Sequence, residues 1–251
     1  MSQHPSRDAW IYGEDASCEL SAEPCDQQYR LVLLGPPGVG KGTQAQLLCN
    51  RIGTCHLSTG DLFRACQNIE EPSTAMAAAL EAMRRGELVS DELVMSMLRE
   101  RASCLRCGGG FLLDGIPRTL AQAESLEATL HDLAVDLDAV ICYALPLERV
   151  VDRLGGRRTC VSCKSVYHVS ANPPKDEDTC DHCDEDLMQR DDDHPDAIRV
   201  RMQLYTQATQ PLMDYYAEQG KLVAVDADGG PEDILERTLD ALRDHLSLEA
   251  I

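Results

Sequence analysis

The stretch Gly35-Pro36-Pro37-Gly38-Val39-Gly40-Lys41 limits what this chain can fold into more than any other part of it. It follows the apolar run Leu31 to Leu34 and opens the amphipathic pattern Thr43 to Arg51, so strand, glycine-rich loop and helix stand in that order. Glycines let successive backbone N–H groups converge on one anion, the helix N-terminus adds its dipole, and Lys41 supplies a cation for terminal phosphates. An ordinary Gly/Pro turn is the competing reading, and it leaves the flanking strand and helix unexplained. The position after Lys41, where many phosphate loops carry a Ser/Thr for Mg²⁺, is Gly42; Thr43 stands about 100° further round the helix. Metal is therefore expected to be held through water by carboxylates. The candidates are Asp61, after Leu57-Ser58-Thr59-Gly60, and Asp114, after Phe111-Leu112-Leu113; helix capping is the alternative role for Asp61.

Around this loop the chain alternates. Leu31 to Leu34, Thr54 to Leu57, Phe111 to Leu113, Ala139 to Tyr143 and Leu222 to Val225 read as strands. Helical patterns lie between them, including Thr119 to Leu133 and a long one, Ala197 to Glu218, interrupted near Pro211. This rhythm predicts an α/β fold with a parallel sheet covered by helices. Two stretches break it: a helical excursion over 58–87, and 157–193, which holds paired cysteines and acid but too few apolar residues to fold by burial alone. Residues 1–29 read as a polar extension, first of all a frayed tail, with Trp10-Ile11-Tyr12 as the one candidate anchor.

The length, 251 residues, suits one domain with insertions, and ten aromatic residues in a chain that is 43% hydrophobic leave packing to aliphatic side chains. Net charge is −20, the wrong sign for a chain that gains affinity by neutralising nucleic-acid phosphates or anionic lipid. Arginine outnumbers lysine 19 to 4, so phosphate would be gripped mainly by planar forks. No apolar run reaches membrane-spanning length and the N-terminus lacks an apolar signal core, so a soluble cytoplasmic protein is expected. Twelve cysteines in that setting point to reduced thiols. Cys160-x2-Cys163-x16-Cys180-x2-Cys183 has the spacing of four thiolates around a structural metal, zinc first and iron its main competitor, with disulfides as the alternative. Cys104-x2-Cys107 and the scattered Cys18, Cys25, Cys49, Cys55, Cys66 and Cys142 read as buried or incidental thiols.

Gly35 to Thr43 with Gln44, Ser58-Thr59-Gly60-Asp61, Asp114-Gly115-Ile116-Pro117-Arg118-Thr119, Asp152-Arg153 through Gly156-Arg157-Arg158, and Arg190-Asp191-Asp192-Asp193 occur in the order and spacing of one family. From about Arg30 to the C-terminus the chain resembles the adenylate kinases. Ile116 stands where that family usually has Phe, an apolar exchange. The resemblance implies a P-loop nucleoside-monophosphate kinase fold with a five-stranded parallel sheet flanked by helices. It divides the chain into a CORE (30–57, 88–156, 194–251), a monophosphate-binding insert (58–87) and a zinc-ribbon-like LID (157–193). It also implies reversible Mg²⁺-dependent phosphoryl transfer from ATP to AMP giving two ADP, by a monomer needing no nucleic-acid or membrane partner.

Carried over by position, the resemblance puts ATP on Gly38, Val39, Gly40, Lys41, Gly42, Thr43, Arg153 and Arg157, with Arg153 stacked on the donor base. AMP falls to Thr59, Arg64, Gly115, Arg118, Gln122, Arg190 and Arg201, and the catalytic set is Lys41, Arg118, Arg157, Arg190 and Arg201. Gln122 would read the adenine edge; taken alone it is equally a surface residue of its helix. Mg²⁺ would be held through water by Asp61 and Asp114, and structural Zn²⁺ by Cys160, Cys163, Cys180 and Cys183. Two other readings compete. A GTP-dependent AMP phosphotransferase or a UMP/CMP kinase would share the fold, whereas a zinc-knuckle nucleic-acid-binding or switch protein is opposed by the net charge, by Gly42 and by the lack of an Asn-Lys-x-Asp motif.

Overall fold

Segments as uniformly apolar as Leu31-Val32-Leu33-Leu34 and Phe111-Leu112-Leu113 need cover on both faces, which only the inner strands of a helix-flanked sheet receive. In the computed structural model, which describes Trp10 and residues 28–65, 74–85 and 87–247, the strands run in chain order β1 (Tyr29–Leu34), β2 (Cys55–Ser58), β3 (Gly110–Asp114), β4 (Ala139–Ala144), β5 (Arg157–Cys160), β6 (Val166–His168), β7 (Leu187–Met188) and β8 (Leu222–Asp226). Five make a parallel sheet ordered β2-β3-β1-β4-β8, with each expected strand in place. Along β1 the side chains alternate: Leu31 and Leu33 enter one apolar cluster, Val32 and Leu34 the other.

Between the strands lie α1 (Lys41–Ile52), α2 (Thr59–Ala65), α3 (Thr74–Arg84), α4 (Asp91–Arg99), α5 (Ala102–Leu105), α6 (Leu120–Asp132), α7 (Leu147–Gly155), α8 (Pro195–Leu204), α9 (Leu212–Glu218) and α10 (Pro231–Leu246). Helix α1 buries Gln44, Ala45, Leu48 and Ile52, spaced by turns, and stops at Gly53, whose φ of 71° suits a left-handed cap. Helix α6 begins one residue later than the sequence suggests because Thr119 is its cap: Thr119 Oγ1 accepts from Gln122 N at 3.1 Å. The long pattern before Glu218 breaks earlier than Pro211. Tyr205–Thr209 is a π-helical turn in which Gln210 N donates to Tyr205 O at 2.8 Å, a widening one turn ahead of a proline that has no N–H to give.

The stretch poor in apolar residues forms a separate antiparallel sheet, β6-β5-β7, over a small cluster of Cys160, Tyr167, Cys180 and Leu187. Of the 1–29 extension, Gln28 and Tyr29 lead into β1, Ile11 and Tyr12 lie outside the described residues, and the remaining described residue is Trp10. It is not frayed: its ring is 1% exposed within the cluster that holds Leu57, Leu62 and Phe63.

Candidate active site

Parallel strands point their carboxyl ends at one edge of the sheet, where the loops leaving them can surround a ligand. The glycine loop leaves β1 there and turns into α1. Gly38, at φ +77°, lies so close under α7 that an added Cβ would meet Leu154 Cγ at 2.6 Å. A Cβ at Gly42 would meet nothing within 4 Å, so it is not crowding that keeps a hydroxyl side chain from this position. Lys41 folds back over the loop, donating to Gly35 O at 2.7 Å and Pro36 O at 2.9 Å. Burial pushes its ammonium down to about 8; the Asp114 carboxylate opposes the shift, and the Arg118 and Arg201 cations add to it.

A cleft of about 670 Å³ opens at this edge. It is lined by Gly38, Val39, Gly40, Lys41, Gly42 and Thr43 of the loop and α1, by Asp61, Asp114 and Gly115, and by Arg118, Arg153, Arg157, Arg190 and Arg201. Thr59 and Gln122 line a smaller pocket of about 30 Å³ beside it, together with Phe63, Val89, Gly115 and Arg118. Arg64 belongs to α2 by its backbone, and its side chain lies outside the described residues.

The arginines are held by short bonds. Arg157 meets Asp193 with a two-pronged grip, Nε to Oδ2 at 2.7 Å and Nη2 to Oδ1 at 2.6 Å. Arg201 donates to the same carboxylate at 3.1 Å and to Asp192 Oδ2 at 2.9 Å. Burial brings Arg201 down to about 10, with Asp192 and Asp193 holding it up and Arg157 and Arg118 pressing it lower. Arg190 Nε donates to Thr159 Oγ1 at 3.0 Å. Arg153, expected over a base, donates to Val39 O at 3.0 Å and Ala227 O at 3.1 Å, which ties the glycine loop to the loop after β8 while the residue still lines the cleft. The backbone of Arg118 is clamped from two sides: its N–H donates to Gln122 Oε1 at 2.7 Å, and its carbonyl accepts from Thr209 Oγ1 at 2.8 Å.

Asp114 ends β3 beneath Lys41. Burial alone would raise its pKa, but His56, whose Nε2 stands 3.4 Å from Oδ2, and the Lys41 charge bring it below the usual carboxylate value. Asp61 sits in the first turn of α2, where its N–H donates to Ser58 Oγ at 3.2 Å, so the backbone of Asp61 is capped while its side chain lines the cleft. Gln122 is 2% exposed and not a surface residue. Its Nε2 donates to Asp91 Oδ1 at 2.6 Å, and because a carboxylate only accepts, this contact fixes which way the amide faces. His56, Asp91, Asp193 and Thr209 escaped the sequence reading as site residues. Ser90-Asp91 carries only the signature of a helix start, and the contact of Thr209 needs the π-helical turn, which no pattern announces.

The four cysteines of β5, the 180–183 turn and the intervening loop come together with all sulfur atoms within 4.8 Å of one another. Cys160 Sγ lies 3.4 Å from Cys183 Sγ, and Cys163 Sγ 3.5 Å from Cys180 Sγ. Sulfurs about 3.8 Å apart follow from a tetrahedron with bonds of about 2.3 Å, whereas a disulfide needs about 2.05 Å. The two knuckles are built alike: Cys160 N donates to Ser165 O and Cys180 N to Glu185 O, and Lys164 and Asp184, each following a second cysteine, take positive φ. Burial would raise the Cys180 thiol, but the N–H groups of His182 and Cys183 and the Tyr167 hydroxyl outweigh it and bring it down to about 6. The donor set fits a tetrahedral metal, and all four positions of such a shell are filled by protein.

A parallel sheet ordered β2-β3-β1-β4-β8, a phosphate loop after its central strand and an arginine-lined cleft at its carboxyl edge define a P-loop nucleoside-monophosphate kinase. The family model that matches is "Adenylate kinase", over residues 33–221. An adenylate kinase of Salinispora tropica is 45% identical over 216 residues, covering 86% of this chain and 99% of that protein. Those of Desulforamulus reducens and Anaeromyxobacter dehalogenans are 45% and 46% identical over 213 residues, with 85% and 84% of this chain and 99% and 98% of each relative covered. The chain belongs to the adenylate kinase family. Its activity is a phosphotransferase activity, carrying a phosphoryl group reversibly between ATP and AMP to give two ADP. Among the described residues, no helix is long and apolar enough to cross a membrane.

Proposed function

We propose that this reaction runs in the cleft at the carboxyl edge of the sheet, with residues 58–87 as the AMP-binding insert, 157–193 as the LID, and 30–57, 88–156 and 194–251 as the CORE. The observation that carries the reading is the convergence of Lys41, Arg118, Arg157, Arg190 and Arg201 on one cleft beside the carboxylates of Asp61 and Asp114. Phosphoryl transfer asks the protein for in-line placement, charge neutralisation and exclusion of water. An AMP phosphate oxygen, already anionic, forms the new bond to the γ-phosphorus while the bond to the β–γ bridging oxygen breaks. That oxygen leaves on ADP with its electron pair, so no general base is required.

In this scheme the loop N–H groups of Gly38, Val39, Gly40, Gly42 and Thr43 cradle the donor phosphates. Lys41 gives up its two carbonyl partners to reach the transferring oxygens. Arg157 and Arg201, pre-set by Asp193, neutralise the equatorial oxygens, Arg190 and Arg118 bridge the acceptor phosphate, and Arg64 adds to it. Arg153, stacked on the donor base, keeps the loop in register. Thr59 and Gly115 border the acceptor nucleoside; Gln122, with one N–H on Asp91 and one lone pair on Arg118 N–H, keeps one donor and one acceptor for the adenine edge. Magnesium, when bound, neutralises charge on the donor β- and γ-phosphates, and Asp61 and Asp114 would hold it through water.

The four thiolates suit a structural ion, zinc ahead of iron for an S₄ shell. A monomer of the cytoplasm acting without nucleic-acid or membrane partners completes the reading; the net charge of −20 and thiols that need a reducing compartment support it. The test is turnover of Lys41→Met and Arg118→Ala, each expected to fall on the order of 10²-fold or more, as loss of a preorganised donor does. Near-normal turnover in either removes that residue from the scheme.

A further inference from the structure

Trp10 lies outside the residues matched by the family, yet it is among the most deeply buried side chains described, at 1% exposure. Its indole Nε1–H donates to the carbonyl of Ser58 at 2.9 Å. Its own carbonyl accepts from Arg101 Nε at 2.6 Å, and Arg101, itself 7% exposed, also donates to Met97 O at 3.0 Å at the end of α4. Trp10 thus spans two places: the α4–α5 junction on one side and the last residue of β2 on the other.

Ser58 is where the acceptor side begins. Its Oγ caps α2 by accepting from Asp61 N at 3.2 Å, and the next residue, Thr59, donates through Oγ1 to Asp114 O at 3.3 Å. A displacement of the Ser58 peptide therefore carries Thr59 and Asp61 with it, one residue on the wall of the smaller pocket and the other on the wall of the cleft. Ser58 is 4% exposed, so water cannot readily replace the indole as donor to its carbonyl.

We propose that Trp10 is a positioning residue for the acceptor nucleotide: its N–H, braced by Arg101, fixes the Ser58 peptide as the immobile base of the 58–87 insert. The proposal rests on the reading of that insert as the AMP side; the glycine loop, α7 and the four-cysteine sheet, which hold ATP, make none of these contacts, and because Asp61 would reach Mg²⁺ only through water, its displacement is expected to lower kcat and not to raise KM for ATP. A residue beyond the family match thus tunes the acceptor half of a family reaction.

The test uses the full chain with Trp10→Phe, which keeps a buried ring and loses the N–H, and Trp10→Ala, which loses both, each assayed well below its melting temperature. Leaving a buried carbonyl without its donor is expected to raise KM for AMP by about three- to tenfold in Trp10→Phe. KM for ATP should stay within about twofold. Trp10→Ala should share the KM shift and show by far the larger fall in melting temperature, since it leaves much the larger cavity. If Trp10→Phe leaves KM for AMP unchanged, or raises both KM values alike, the positioning role is overturned and Trp10 is a packing residue. Thr59→Val separates the two levels: a raised KM for AMP there with an unchanged one in Trp10→Phe keeps the insert reading and rejects the brace, while no change in either rejects both.

Discussion

Asp193 is fully buried and accepts three guanidinium hydrogen bonds, two from Arg157 and one from Arg201. Asp193→Asn keeps the shape and removes the charge. One oxygen remains to accept; the new amide N–H₂ must face a guanidinium N–H, and Arg201, whose proton affinity the neighbouring Arg157 cation already lowers, loses the anion between the two. Each charge-assisted bond is worth about 1.5–3 kcal/mol, and breaking one partner of a buried pair costs about 3–5 kcal/mol. Because asparagine keeps one acceptor, the lower end applies, about 3 kcal/mol. For a chain of this size that is a fall of about 6–12 °C in melting temperature. Turnover should suffer as well, since Arg157 and Arg201 lose the anchor that aims both; with two donors mis-set, kcat should drop on the order of 10²-fold. The assays are thermal melting and coupled ADP formation at a temperature where the variant is folded. A variant that melts within about 2 °C of the parent, or turns over at the parental rate, refutes the argument that this carboxylate organises the arginines.

Lys41 must be charged to hold phosphate, and burial has brought it down to about 8, so kcat/KM for ATP should fall as pH rises through about 8. In the ternary complex the phosphates hold the ammonium protonated, so kcat should persist to higher pH; a kcat/KM profile flat to about pH 9.5 would contradict this. For stability the sign is opposite: this group's burial penalty is in force below about 8 and is relieved as pH rises toward 10.5, where the unfolded chain also loses its proton. Chelation, or Ser in place of Cys160 and Cys163, should lower the melting temperature while leaving some activity at low temperature, because a closed S₄ shell has no position for water or phosphate. Elemental analysis showing metal-free protein of equal stability would remove the structural metal.

The inner strands β1, β3 and β4 were legible because doubly covered strands have no choice but to be apolar, the edge strands β2 and β8 carried weaker patterns, and boundaries moved by one or two residues. The glycine loop was legible because its residue types answer a single demand. The break before Glu218 was placed at Pro211 from the missing N–H; the π-helical turn starting at Tyr205 depends on how the chain reaches Arg118 through Thr209, which is tertiary. The small sheet β6-β5-β7 left no pattern, since its strands are two to four residues long and its order comes from the knuckles and a four-residue cluster. Trp10 was legible as an apolar residue in a polar extension, and its destination, a carbonyl 48 residues away, was not. Gln122 shows the reverse. Its place at the adenine edge rests on family position, and the structure adds that Asp91 and the Arg118 N–H fix the orientation of the amide, each end being bonded once.

The most direct measurement of the central claim is ADP formation by the purified chain from ATP plus AMP, compared with UMP and CMP as acceptors and GTP as donor. ADP should form from ATP and AMP, with no comparable rate for UMP or CMP and with loss of that rate in Lys41→Met. Comparable turnover with UMP or CMP, or no ADP from AMP, would contradict it.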